Sequence, residues 1–133
     1  MKRQLKIVPL CDAVLFENTD LFLKLINDGV DVDERDYNNL TALWYAAQEG
    51  CYEMAKILIE HNADIEVKDR FGNTPLSNAV YDHRKVHNGQ LIKLLVDAGA
   101  DVNAENNYGV SPLKLAKTLA DFPYLDLLEN RVN

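Results

Sequence analysis

Histidine and cysteine are the side chains from which metal or nucleophilic chemistry would start. The chain has three histidines, His61, His83 and His87, and two cysteines, Cys11 and Cys51. His83 and His87 have the i, i+4 spacing that sets two imidazoles on one helix face for a metal. No cysteine or carboxylate follows at a spacing that completes four bonds, so a solvated loop is the expected reading of this pair, with no metal and no cofactor. The cysteines form no C-x-x-C pair, and each is expected to be a small buried or half-buried thiol rather than a nucleophile. The six glycines assemble neither G-x-G-x-x-G nor a P-loop, so no phosphate cradle is expected. No catalytic residue is assigned, and the chain is read as not an enzyme.

The elements that would carry any site come from an internal repeat. Asp36-Tyr-Asn-Asn-Leu-Thr-Ala-Leu43 aligns with Asp69-Arg-Phe-Gly-Asn-Thr-Pro-Leu76 at a shift of 33 residues, and Asn106-Asn-Tyr-Gly-Val-Ser-Pro-Leu113 follows after 37. A second marker recurs in Gly29-Val-Asp-Val-Asp33, Asn62-Ala-Asp-Ile-Glu66 and Gly99-Ala-Asp-Val-Asn103. Leu43 to Ala63 spans 20 residues but Leu76 to Ala100 spans 24, so the third unit has four extra residues, placed at His83-Arg-Lys-Val-His-Asn88.

Each unit divides into two short helices and an extended turn. Thr41, Thr74 and Ser111 stand as N-cap hydroxyls, and Pro75 and Pro112 at the first helical position, where a missing N–H is harmless. The first helices are rich in small residues, at Ala46, Ala47, Ala79 and Ala116, which lets neighbours approach. The second helices bear an aliphatic face: Leu21, Phe22, Leu25 and Ile26, then Met54, Ile57 and Leu58, then Leu91, Ile92, Leu94 and Leu95. Gly29 and Gly99 close the helix ends in left-handed geometry. The second unit has Asn39 in the turn and Asn62 at the helix end where the others have glycine. Asparagine is the non-glycine residue that best tolerates positive φ, so a required conformation is predicted at both.

These units resemble ankyrin repeats, through the period of 33, the Asn73-Thr-Pro-Leu76 helix start, the Ala46-Ala47 pair and the Gly99-Ala-Asp-Val-Asn103 ending. A tetratricopeptide array has a similar period but lacks the Asp-x-x-Gly turn. The resemblance implies an all-α solenoid of four helix-turn-helix repeats with short β-turn hairpin loops. The whole chain, 1–133, would be a single domain with repeats near 6–35, 36–68, 69–105 and 106–133. The family's usual histidine after the leucine is replaced by Cys11, Trp44, Ser77 and Lys114, so its hydrogen bond to the next repeat is not expected in the usual form. No single unit can bury its apolar face, so stability should come from stacking, and Leu58→Ala or Leu94→Ala should cost about 2–5 kcal/mol.

The resemblance also implies a partner-binding surface on hairpin tips and first helices. In the second unit this selects Tyr37, Asn38, Leu40, Tyr45, Gln48 and Glu49. In the third it selects Arg70, Phe71, Asn73, Asn78, Tyr81 and Asp82, and in the fourth Asn107, Tyr108 and Val110. Trp44 is expected to pack between first helices.

Composition sets the remaining bounds. The 133 residues carry a net charge of −7, which disfavours nucleic acid and anionic membranes as partners. No apolar run is long enough to span a bilayer, and Lys6, Pro9 and Asp12 interrupt any signal-peptide core after Met1-Lys2-Arg3. The expected setting is cytoplasmic, with the chain monomeric when free. Residues 11–66 hold 13 acids against 3 bases, densest at Asp28, Asp31, Asp33, Glu34 and Asp36. Such a patch would steer a basic partner. A compact acidic chain of this kind resembles small solitary bacterial ankyrin proteins of the immunity or inhibitor type. The resemblance implies a basic toxin or nuclease domain as partner, neutralised by occupation. The alternative is an adaptor or host-directed effector scaffold that bridges two proteins and also uses residues 83–88.

Overall fold

The computed structural model describes residues 6–85 and 88–130; Met1, Lys2, Arg3 and His87 lie outside the described residues. Eight helices follow one another: α1 (Pro9–Leu15), α2 (Thr19–Asn27), α3 (Ala42–Glu49), α4 (Tyr52–Glu60), α5 (Pro75–Tyr81), α6 (Asn88–Asp97), α7 (Pro112–Thr118) and α8 (Leu125–Glu129). No strand occurs among the described residues, so the architecture is the all-helical solenoid the repeats imply.

Capping residues start the helices where the sequence places them. Thr41, Thr74 and Ser111 accept hydrogen bonds from the amides of Trp44, Ser77 and Lys114 at 3.4, 3.3 and 3.1 Å. Each such cap is worth about 1 kcal/mol. Proline leads α1, α5 and α7. Consecutive first helices then stack, α1 on α3 on α5 on α7, while α4, α6 and α8 pack as a second layer. Alanine permits the close approach, since Ala46, Ala47 and Ala79 are completely buried between neighbouring helices. Between the layers Phe22, Leu43, Leu58, Leu76, Leu91, Ile92 and Leu95 are wholly excluded from water. Leu94 is only partly buried, unlike Leu58. Its truncation therefore removes less buried area than expected, and the full cost of a core deletion applies to Leu58 alone.

The loops repeat one geometry. Asp36, Asp69 and Asn106 each accept, through one side-chain oxygen, the amides two and four residues on, at 2.8–3.2 Å. Backbone bonds from the amides of Asp36, Asp69 and Asn106 to Leu40, Asn73 and Val110 close each hairpin. The tightest bend needs positive φ, met by Asn39 at 60°, Gly72 at 83° and Gly109 at 76°. At the helix ends the same demand is met by Asn62 at 65°, Gly29 at 77° and Gly99 at 100°. Asparagine therefore replaces glycine at positions that require left-handed backbone, as the spacing predicts.

Bonds between pairs differ from the expectation in an instructive way. The Cys11 thiol reaches the Leu40 carbonyl at 3.9 Å, and Trp44 Nε1 donates to the Asn73 carbonyl at 3.4 Å. Both span 29 residues, so the connection usually made by histidine is kept with other donors. Ser77 instead meets the Thr74 hydroxyl at 3.3 Å. Hairpin tips are joined laterally as well. The Asn107 amide donates to the Phe71 carbonyl at 2.9 Å and its side chain to the Arg70 carbonyl at 3.0 Å. The Tyr37 amide donates to the Lys6 carbonyl at 3.0 Å.

Candidate functional site

A cleft of about 490 Å³ opens between α5, α7 and the third hairpin. Gln48, Asn73, Asn78, Tyr81, Asp82 and Tyr108 line it, all of them residues selected by the repeat register, and so does Val110. Their elements explain the convergence. Asn78, Tyr81 and Asp82 lie along the last turn of α5 and its C-cap. Tyr108 rides the tip of the hairpin that Asn106 organises. Tyr81 and Tyr108 remain 70% and 74% exposed. Ser77, Asn106, Ser111 and Leu115 complete the lining and were not selected from sequence. Leu115 has a readable signal, for it stands in the register position of Tyr45 and Asn78.

Other selected residues are placed elsewhere. Tyr37 and Phe71 are exposed at hairpin tips, with the Arg70 guanidinium 4.8 Å from the Phe71 ring. Glu49 and Asn107 are exposed, the latter tied to the neighbouring hairpin. Asn38 is exposed at its tip but donates to the Tyr45 hydroxyl at 3.0 Å.

Three selections are corrected. Leu40 is buried, its carbonyl held by Cys11. Tyr45 is 5% exposed because its hydroxyl turns inward to donate to Asp36 at 2.6 Å. Burial, then the Asp36 hydrogen bond, pushes its phenol well above the ordinary range. Asp36 itself is buried, so it organises the hairpin and leaves the acidic patch. Trp44 is buried as expected, edge-on to Tyr45 at 5.7 Å.

The rest of the patch is partly committed to structure. Asp28 pairs with Lys24 at 2.8 Å, Asp31 caps the Asp33 amide, and Asp33 accepts the Asp64 amide at 2.8 Å. Glu34 is half-buried.

Both thiols are held toward the protonated form. Burial raises Cys11 to about 12, with Asp36, Asp12 and Glu34 adding to it. Burial likewise raises Cys51, with Glu17 and Glu49 contributing. Cys51 precedes α4, in the turn between its helices. His83 is not in a solvated loop: it is buried, its Nδ1 3.3 Å from the Val80 carbonyl and its ring edge-on to Phe122 at 5.1 Å. No group of three or more potential metal ligands occurs among the described residues. No helix among them is long and apolar enough to cross a membrane.

The arrangement is thus a stack of helix pairs with exposed hairpin tips, and the comparisons agree. A family model described as ankyrin repeats (3 copies) matches residues 10–106, and the chain belongs to the ankyrin-repeat family. Ankyrin repeats are protein-interaction modules and generally non-catalytic. Potassium channel SKOR of Arabidopsis thaliana is 42% identical over 71 residues, 53% of this chain and 9% of that protein. Serine/threonine-protein kinase 12 of Arabidopsis thaliana is 36% identical over 58 residues, 44% of this chain and 13% of that protein. The liver isoform of mitochondrial glutaminase from Rattus norvegicus is 45% identical over 60 residues, 44% of this chain and 10% of that protein. The chain spans about a tenth of the length of these relatives.

Proposed function

We propose that the chain binds a partner protein through the surface made by α3, α5, α7 and the hairpin tips, and acts by occupying that partner's surface. The observation that carries this reading is the cleft in which Gln48, Asn73, Asn78, Tyr81, Asp82 and Tyr108 meet. Exposed tyrosines beside serine and asparagine make a paratope-like surface, with rigid anchors and adaptable hydrogen bonding. In this reading the four helix pairs are four repeats, 6–35, 36–68, 69–105 and 106–133, forming one domain.

The partner is a basic protein, a toxin or nuclease domain that the chain neutralises as an immunity protein does. The net charge of −7 and the 13 acids within residues 11–66 support this. With Asp36 buried, the steering charge falls to Asp31, Glu34 and Asp28, the last of these shared with Lys24. The binding is cytoplasmic and the free chain monomeric.

The test is site-specific photo-cross-linking in cells that make the protein. p-Benzoylphenylalanine at position 108 should trap one basic protein, and at position 56, exposed on α4, it should not. Identical adducts from both positions, or none from 108, would overturn the reading. D28N/E34Q should slow association in low salt.

A second reading, an adaptor that bridges two proteins, rests on an adjoining cleft that shares Tyr81 and Asp82 with the first. Residues 81–85 with Leu119 and Ala120 wall about 520 Å³. R84A/K85A should then release one partner and retain the other.

A further inference from the structure

The lining of the α5–α7 cleft has a consistent electrical character. Its one formally charged side chain is a carboxylate, Asp82. Two exposed tyrosine rings flank it, and the electron-rich faces of such rings attract cations. The oxygens of Asn73, Asn106 and Ser111 are engaged within the protein, which leaves Asp82 and the two rings to meet a cation. Val110 and Leu115 supply an apolar wall that suits an alkyl stem.

One base, Lys85, pairs with Asp82, and does so at long range. Lys85 Nζ lies 3.7 Å from the Asp82 carboxylate, while its shorter bond, 2.6 Å, goes to the Gln48 carbonyl. Lys114 is held by Glu105 at 2.6 Å and the Gly109 carbonyl at 3.2 Å. An incoming donor would therefore share Asp82 with Lys85, whose shorter bond holds it at Gln48. Asn78 also lines the cleft, and its Nδ2 is buried with no acceptor among the described residues. An amide with no internal bond on that atom loses nothing by turning toward an incoming carbonyl oxygen.

We propose that this cleft receives an arginine side chain from an exposed loop of the partner, its guanidinium against Tyr81 and Tyr108 and bonded to Asp82, with Asn78 Nδ2 meeting the flanking backbone carbonyl. Guanidinium suits the place better than ammonium because it is planar, stacks on aromatic rings and offers a fork of donors. A volume of about 490 Å³ admits the side chain with part of its backbone. The inference rests on the partner-binding reading above and narrows it to a chemical group.

The probe is the capped peptide acetyl-Gly-Arg-Gly-amide, titrated into the full chain labelled with 3-fluorotyrosine. Six tyrosines give six fluorine signals. Those of Tyr81 and Tyr108 should shift saturably while that of Tyr37 stays. Replacing arginine with citrulline, which keeps the shape and removes the charge, should weaken binding at least tenfold, as should D82N. N78A should weaken it two- to fivefold. Equal shifts from the citrulline or the lysine peptide, or unmoved Tyr81 and Tyr108 signals, would overturn the proposal. The peptide arms need no variant, so a misfolded D82N cannot rescue the idea. A null titration with productive cross-linking at position 108 removes the arginine proposal alone. Peptide binding without any cross-link removes the partner-protein reading and keeps the arginine site.

Discussion

Tyr45, Asn78 and Leu115 occupy the same position in three successive helix pairs, and the surface above them differs at each. Over α3 the tyrosine folds in under its hairpin. Asp36 accepts from its hydroxyl and from the amides of Asn38 and Leu40, and the Asn38 side chain donates to the same hydroxyl. Over α5 the shorter asparagine makes no bond to Asp69, which among the described residues accepts from the Phe71 and Asn73 amides. Space that the phenol fills in one pair becomes part of a cleft in the next. One backbone design is therefore closed into scaffold or opened into a site by a single side-chain length.

Breaking the closed region should cost the most. D36A removes the acceptor of three buried or part-buried bonds and is expected to lower stability by about 3 kcal/mol, read by chemical denaturation. D69A, at the more open hairpin, should cost about 1 kcal/mol. Equal losses would erase the distinction between the two hairpins. Y45F keeps the ring and deletes the hydroxyl, for about 1–2 kcal/mol.

The same region should respond to alkali. Cys11 is raised from 9.0 to about 12, and Tyr45 is raised above 10.0. Both favour the protonated form in the folded state. Their contribution is thus complete below about pH 9, the ordinary thiol value, and is lost as pH climbs toward 12. Unfolding free energies measured from pH 8 to 11 should fall for the native chain and fall less for Y45F. A flat native profile would contradict the buried network. The smallest effect belongs to the open region: N78A should change stability by no more than about 0.5 kcal/mol, since Nδ2 makes no bond there to lose.

Backbone placement was legible in the sequence to a fine grain. The two asparagines standing in for glycine, the hydroxyl caps and the prolines report local φ, ψ and hydrogen-bonding needs, which neighbouring residues decide. The repeat register carried Tyr81 and Asp82, at the end of α5, and Tyr108, at a hairpin tip, to the cleft for the same reason. Tyr45, Asp36 and Leu40 were misplaced on the surface because a register locates a Cα and not the partner a side chain finds. Asp36 carries a turn signal in any case, and nothing local reveals that a phenol nine residues on will bond to it. His83 escaped likewise, since the ring packed edge-on to it, Phe122, comes from far along the chain. Leu94 faces an edge of the second layer rather than its middle, a distinction that helical periodicity alone does not draw.

The lateral bonds at the hairpin tips have a mechanical meaning. Asn107 clasps the loop before it through both its amide and its side chain. Among the described residues no backbone bond joins the first tip to the second; those loops meet lower down, where the Asp64 amide reaches Asp33. The last two fingers are therefore yoked to each other, while the first is tied at its tip to Lys6 instead. A partner that engages Phe71 engages the loop that carries Tyr108 as well.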